Sequence, residues 1–283
     1  MTGNGNHPEI RVSEAPRRVP GSKPILILAG LFVVATLLAW YFAWFGRELS
    51  DADISKYLAD ERNPRHVQHA LSQIQQRMEH GDPEAKNWYP LLITLSSNPE
   101  TEFRLTVAWL MGFDNKVPEF HNALLKLVHD EQPLVRRNAA LALVTFNDNS
   151  GREELIAILK PYVLKSPADG TVQSSMREGT NVGRRTPLAR IEQSDGKVVE
   201  LRSPLPGRVN QIFKTNGSQI TRDEDFISLN SDEDSVFEAL RGLAIIGTKD
   251  DLPLIDTYAQ SNDASARVKE QASLTAKSIS SRG

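Results

Sequence analysis

The run from Ile25 to Phe45 constrains this 283-residue chain more than any other feature. It is uncharged and mostly large and apolar, and at 1.5 Å per residue it is long enough for a roughly 30 Å hydrocarbon core. Sequence alone therefore predicts a transmembrane helix over residues 24–46. Trp40, Tyr41, Trp44 and Phe45 crowd its C-terminal end, where amphipathic rings settle at lipid headgroups. Arg11, Arg17, Arg18 and Lys23 precede the run, whereas Glu48, Asp51, Asp53 and Asp60 gather after it. That asymmetry predicts a cytoplasmic N-terminus and an extracytoplasmic body. A long apolar core ending in aromatics, not in small residues, argues against a cleaved signal peptide. Residues 1–23, rich in Gly, Asn, Pro and charge, read as a disordered tail.

From residue 50 to 161 the chain reads as short amphipathic helices, broken at Asn63-Pro64, Gly81-Asp82-Pro83, Asn98-Pro99, Val117-Pro118 and Gln132-Pro133. The segment Asn98 to Asn115 lies over Glu131 to Asp148 at a shift of 33, setting Leu110 on Leu143 and Phe113 on Phe146. Repetition at that period signals stacked helical pairs. The pattern returns over 231–281, where Val268, Ala272 and Ile279 match Val135, Ala139 and Phe146. With Val135-Arg-Arg-Asn-Ala-Ala-Leu-Ala-Leu143 in view, these helices resemble HEAT repeats. The resemblance implies an extended protein-binding surface.

Residues 162–230 change character: glycines, prolines and alternating β-formers replace helical periodicity. This stretch also repeats itself. Ser166-Pro-Ala-Asp-Gly-Thr-Val172 aligns with Ser203-Pro-Leu-Pro-Gly-Arg-Val209, Gly179 with Gly217, Val182 with Ile220, and Leu188–Ile191 with Phe226–Leu229. The order of these motifs resembles the biotinyl/lipoyl barrel-sandwich hybrid, a fold used by carrier domains and by periplasmic adaptor (membrane-fusion) subunits. The carrier resemblance implies a modified lysine at the hairpin joining the halves. Asp195 or Gly196 falls at that point and Lys197 lies beside it without the flanking pattern, so Asp-Gly reads as a turn and no cofactor is expected. Lys197 is a cofactor site only under the alternative reading, a carrier subunit of an enzyme complex. The adaptor resemblance implies an inner (cytoplasmic) membrane protein of bacteria with its body in the periplasm, although the long helical hairpin of pump adaptors is missing between the half-motifs.

Other chemistry is thin. The absence of cysteine excludes disulfides, thiolate metal sites and cysteine nucleophiles, and a net charge of −3 with dispersed basic residues points away from nucleic acid. Gly179-Thr-Asn-Val-Gly183-Arg-Arg-Thr186 lacks the spacing and the lysine of a phosphate loop. His66, His69, His80, His121 and His129 are scattered without carboxylate partners at ligand spacing, so no metal site is expected. Asp223-Glu-Asp225 and Asp232-Glu-Asp234 lack calcium-loop spacing, and the second reads as a helix cap. Trp88, Tyr89, Trp109 and Phe113 are expected in helix cores. No catalytic set emerges. The sequence predicts a mainly α protein with a β insert and a membrane anchor, acting as a scaffold or adaptor for protein partners, with a transport or secretion complex the most natural setting.

Overall fold

The computed structural model describes residues 23–45 and 48–282. They fall in two compact units, one up to Leu49 and one from Ser50 onward. In the first, helix α1 covers Lys23–Phe45, and every side chain described in it, Ile27 to Ala39, is exposed. The expected membrane crossing is overturned: among the described residues, no helix is long and apolar enough to cross a membrane. The single-pass inner-membrane placement and its orientation rested on that crossing and fall with it. The expected tail over residues 1–23 lies outside the described residues except for Lys23, which opens α1, and the side chains of Trp40, Tyr41, Trp44 and Phe45 lie outside them too.

The second unit is built of helical pairs. In order come α2 (Asp51–Ala59), α3 (Pro64–Glu79), a 3-10 turn (Pro83–Trp88), α4 (Tyr89–Leu95), α5 (Thr101–Met111), α6 (Pro118–Leu127), α7 (Pro133–Thr145) and α8 (Arg152–Ile158). After the β region follow α9 (Glu233–Ile246), α10 (Leu252–Gln260) and α11 (Ala266–Ser281). Prolines open α3, α6 and α7, where the missing N–H is unpaired in any helix. Each even helix packs on the odd helix after it, and α3, α5, α7, α9 and α11 stack in one continuous layer.

The true period of the array is 32, not the 33 that the matching letters suggest. Phe103, Val107, Ala108, Leu110 and Met111 of α5 are buried, and so are Val135, Ala139, Ala140, Ala142 and Leu143 of α7, each 32 later. The turns obey the same shift: Asn98 Oδ1 accepts from Glu100 N at 2.9 Å, and Asp130 Oδ1 accepts from Gln132 N at 2.8 Å. Val236 and Leu240 of α9 lie 32 before Val268 and Ala272 of α11, and all four are buried. Identical Leu and Phe letters one position out of step had masked this register.

The β region is a sandwich of two four-stranded antiparallel sheets, with strands β1 (Tyr162–Lys165), β2 (Gly170–Gln173), β3 (Asn181–Val182), β4 (Pro187–Glu192), β5 (Val198–Arg202), β6 (Gly207–Ile212), β7 (Gln219–Ile220) and β8 (Asp225–Ser231). One sheet runs β1-β8-β6-β3 and the other β5-β4-β2-β7. Exchanging each of β1–β4 for the strand four later converts one order into the other, so the sequence repeat is a structural two-fold. Hydrogen bonds repeat with it: Gly179 N donates to Val209 O and Gly217 N to Val172 O, both at 2.8 Å. Ser166 Oγ donates to Ala168 O and Ser203 Oγ to Leu205 O, both at 2.6 Å. The two halves exchange strands around one apolar core that includes Val172, Ile191, Val209, Phe226 and Leu229.

This module leaves the array between α8 and α9, which still pack together. Its first and last strands are neighbours, with Tyr162 opposite Leu229, so both connections emerge at one edge and an ordinary helix-helix turn would suffice in their place.

Candidate interaction face

Along the layer of odd helices lie two adjoining depressions that share Trp109. The first has a volume of about 280 Å³ and is lined by α5, α7 and α9, with Trp109, Phe113, Leu141, Ala142, Arg241 and Ile245 at its walls. The second, about 330 Å³, is lined by amides and hydroxyls: Gln68, Ser72 and Gln75 of α3, Thr106 of α5 and Asn138 of α7. Trp109 is 44 % exposed and Ile245 53 %, unusual for large apolar side chains within helical pairs. Trp109 and Phe113 meet edge to face at 5.8 Å, a favourable geometry for aromatic quadrupoles. Gly112 admits this arrangement because a Cβ there would press on Ala142 at 3.2 Å. Glu238 accepts both hydrogen bonds offered by Arg241 Nη1, each at 3.1 Å, at the rim.

The aromatics therefore divide. Trp88 is buried, with its indole N–H on Ser55 Oγ at 3.0 Å. Tyr89 packs on Phe120 with the rings tilted at 48° and their centres 4.5 Å apart, and it donates to Asp114 Oδ2; burial and that bond push its phenol up. Trp109 and Phe113, expected in the core, instead form the face.

An arginine ladder, unnoticed in the sequence, joins successive repeats. Arg104 sends Nε and Nη2 to Asp130 at 2.7 and 3.1 Å while Nη1 holds Asn98 O and Pro99 O. Arg136, 32 later, sends Nε to Glu154 and Nη1 to Asp130 O and Glu131 O. Arg152, at the start of α8 and outside this 32-residue spacing, makes a further link to Asp251 beyond the module, Nε to Oδ2 at 2.9 Å. The shift of 33 would have paired Arg104 with Arg137, whose environment is different. Arg137 is buried, its Nε and Nη1 make no hydrogen bond although Nε lies 3.9 Å from Glu154 Oε1, and burial holds its guanidinium down.

The remaining sequence candidates do not converge. His66 pairs with Asp60 at 2.8 Å and His121 with Asp148 at 2.7 Å, on separate repeats. Among the described residues no cluster of potential ligands could hold a metal ion. Lys197 sits at the β4–β5 hairpin, with Gly196 at φ 81° and its own ammonium on Asp195 at 2.8 Å. Asp232 caps α9 by accepting from Ser235 N at 3.0 Å, and Glu224 and Asp225 pair with Lys214 and Lys165. The turn Gly179 to Thr186 leans on the array: Arg184 Nη1 and Arg185 Nη2 reach the Glu102 carboxylate at 2.8 and 2.6 Å. Arg184's hydrogen bond holds that carboxyl below its ordinary range.

Comparison with known proteins agrees with the helical part. A family described as HEAT repeats matches residues 89–178, which here comprise α4 to α8 and then β1 and β2. No curated protein matches the sequence. A solved structure of a single-chain, multi-domain long-chain acyl-CoA carboxylase is similar at 18 % identity over 31 % of this chain and 10 % of that one, with a TM-score of 0.24. This chain thus spans about a tenth of that protein's length, and so slight a likeness carries no argument. The chain is similar to HEAT-repeat proteins over the stretch where its helices stack at a period of 32.

Proposed function

We propose that this protein is a non-catalytic scaffold that binds a protein partner on the face of its odd helices. The apolar depression at Trp109 carries the reading. Exposed aromatic side chains beside an arginine, set in a concavity and rimmed by polar groups, are the composition of interface hot spots. Stacked helical arrays commonly present such extended faces. The transport or secretion setting depended on the membrane anchor and is not carried forward. The β module supports a reading as a hybrid of the lipoyl type that docks instead of carrying a group, since its two halves are related as in that fold.

The test is recovery of partners by crosslinking to the full chain, compared with Trp109→Ala and Ile245→Asp. We expect both variants to melt normally and to lose the recovered protein; equal recovery would remove the face from the proposal. A second reading, the carrier, is favoured by the exposure of Lys197 on a hairpin tip, 78 % as a side chain. Intact mass of the protein from its native host decides it: an adduct mapped to Lys197 establishes the carrier, and an unmodified lysine removes it.

A further inference from the structure

The β module is attached to the array in an unusual way. Both covalent connections leave at one edge, where Tyr162 lies opposite Leu229. Among the described residues, no strand packs closely along a helix of the array. The side-chain hydrogen bonds between module and helices, among the described residues, are those of Arg184 and Arg185 to Glu102. On the side facing α10 and α11 an open cleft of about 820 Å³ separates the module, at Asn181, Pro206 and Arg208, from Tyr258, Asp263 and Ser265.

We propose that Glu102 and the Arg184–Arg185 pair form a releasable latch. Closed, it clamps the module to α5; open, it lets the module turn about its β1–β8 root into the cleft. Three features support this together. The root is a single edge, which constrains translation but leaves rotation. The clamp is a partly exposed ion pair, strong enough to bias an orientation and weak enough to open. The cleft supplies the space into which the module moves. The latch also touches the groove: Glu102 O accepts from Gln68 Nε2 at 3.2 Å and Thr106 Oγ1 at 2.9 Å, and both residues line the amide depression. A ligand that displaces either side chain acts on the residue that holds the latch.

The chain has no cysteine, so Ser194→Cys on the hairpin tip and Lys126→Cys on α6 accept a spin-label pair in the otherwise unaltered protein. Pulsed distance measurements are compared for this protein, for Glu102→Gln, and for Arg184→Ala with Arg185→Ala. Losing two partly exposed ion pairs should raise the population at the second distance about fivefold. Glu102→Arg combined with Arg184→Glu and Arg185→Glu should restore the original distribution. Raising the salt on the labelled but otherwise unmodified protein should have the effect of the single variants, which keeps the test valid should a variant fail to fold. An identical distribution in folded latch variants and in high salt would overturn the proposal.

Discussion

Two kinds of residue carry most of the local specificity. Gly207 and Gly170 occupy equivalent places in the two halves of the module, and at each a Cβ would lie 2.3 Å from a backbone carbonyl oxygen, of Asn230 and of Glu192. Neither strand can retreat without breaking its ladder, so Gly207→Ala should cost about 2–4 kcal/mol. Gly196 differs: its φ of 81° is left-handed but nothing stands within 4 Å of a Cβ, so Gly196→Ala should cost only about 1–2 kcal/mol. Urea titrations of the two variants check the order. The second kind is the ladder. Burial pushes Asp130 up, but the Arg104 hydrogen bond, the Gln132 N–H and the charges of Arg104 and Arg136 outweigh it and leave the carboxyl below its ordinary range. A carboxyl lowered by folding stabilises fully above its unfolded value of about 3.9 and loses that contribution as pH falls through its lower folded value. Asp130→Asn strands a nearly buried guanidinium and should cost about 3 kcal/mol near neutrality. Its stability should also fall less steeply than the parent's below pH 4, as denaturation at several pH values will show.

At the scale of elements, what could be read from sequence depended on whether the signal was local. Prolines at helix starts, the Asp232 cap and the Asp-Gly turn involve neighbours a few residues apart, and all are found as expected. The half-repeat of the module was equally plain, because buried Ser166 and Ser203 repeat the same hydroxyl-to-carbonyl bond. Register between repeats was not. Leu110 over Leu143 and Phe113 over Phe146 compare letters, whereas packing compares faces, and a one-residue error turns a helix by about 100°. The exposed face was missed for the same reason: a Trp in an amphipathic helix does not announce which neighbour will cover it. The apolar run Ile25 to Phe45 suggested a crossing by hydropathy, whereas among the described residues no helix is long and apolar enough to cross a membrane. Insertion of the module between packed helices makes a firm prediction. Replacing residues 162–230 with a short Gly-Ser linker should leave cooperative helical unfolding intact, as circular dichroism will register, because α8 and α9 retain their contact.

Across the whole second unit, the face proposed for binding is assembled from both sides of the insertion, α5 and α7 before it and α9 after it. Ending the chain at Lys160 should therefore be far more damaging than removing the module. It uncovers Val144 and Leu155, against which Gly242 packs, and removes Asp251 from Arg152. We expect aggregation of the truncated chain in sedimentation, where the module-deleted chain stays monodisperse. The neighbouring positions of Tyr162 and Leu229 have a mechanical corollary. Tension applied along the polypeptide would pull β1 and β8 apart from their common end, breaking their bonds one rung at a time instead of loading them together in shear. Such strands part under smaller forces than strands loaded in shear, and the opened sandwich would release about 230 Å of slack at roughly 3.3–3.6 Å per residue.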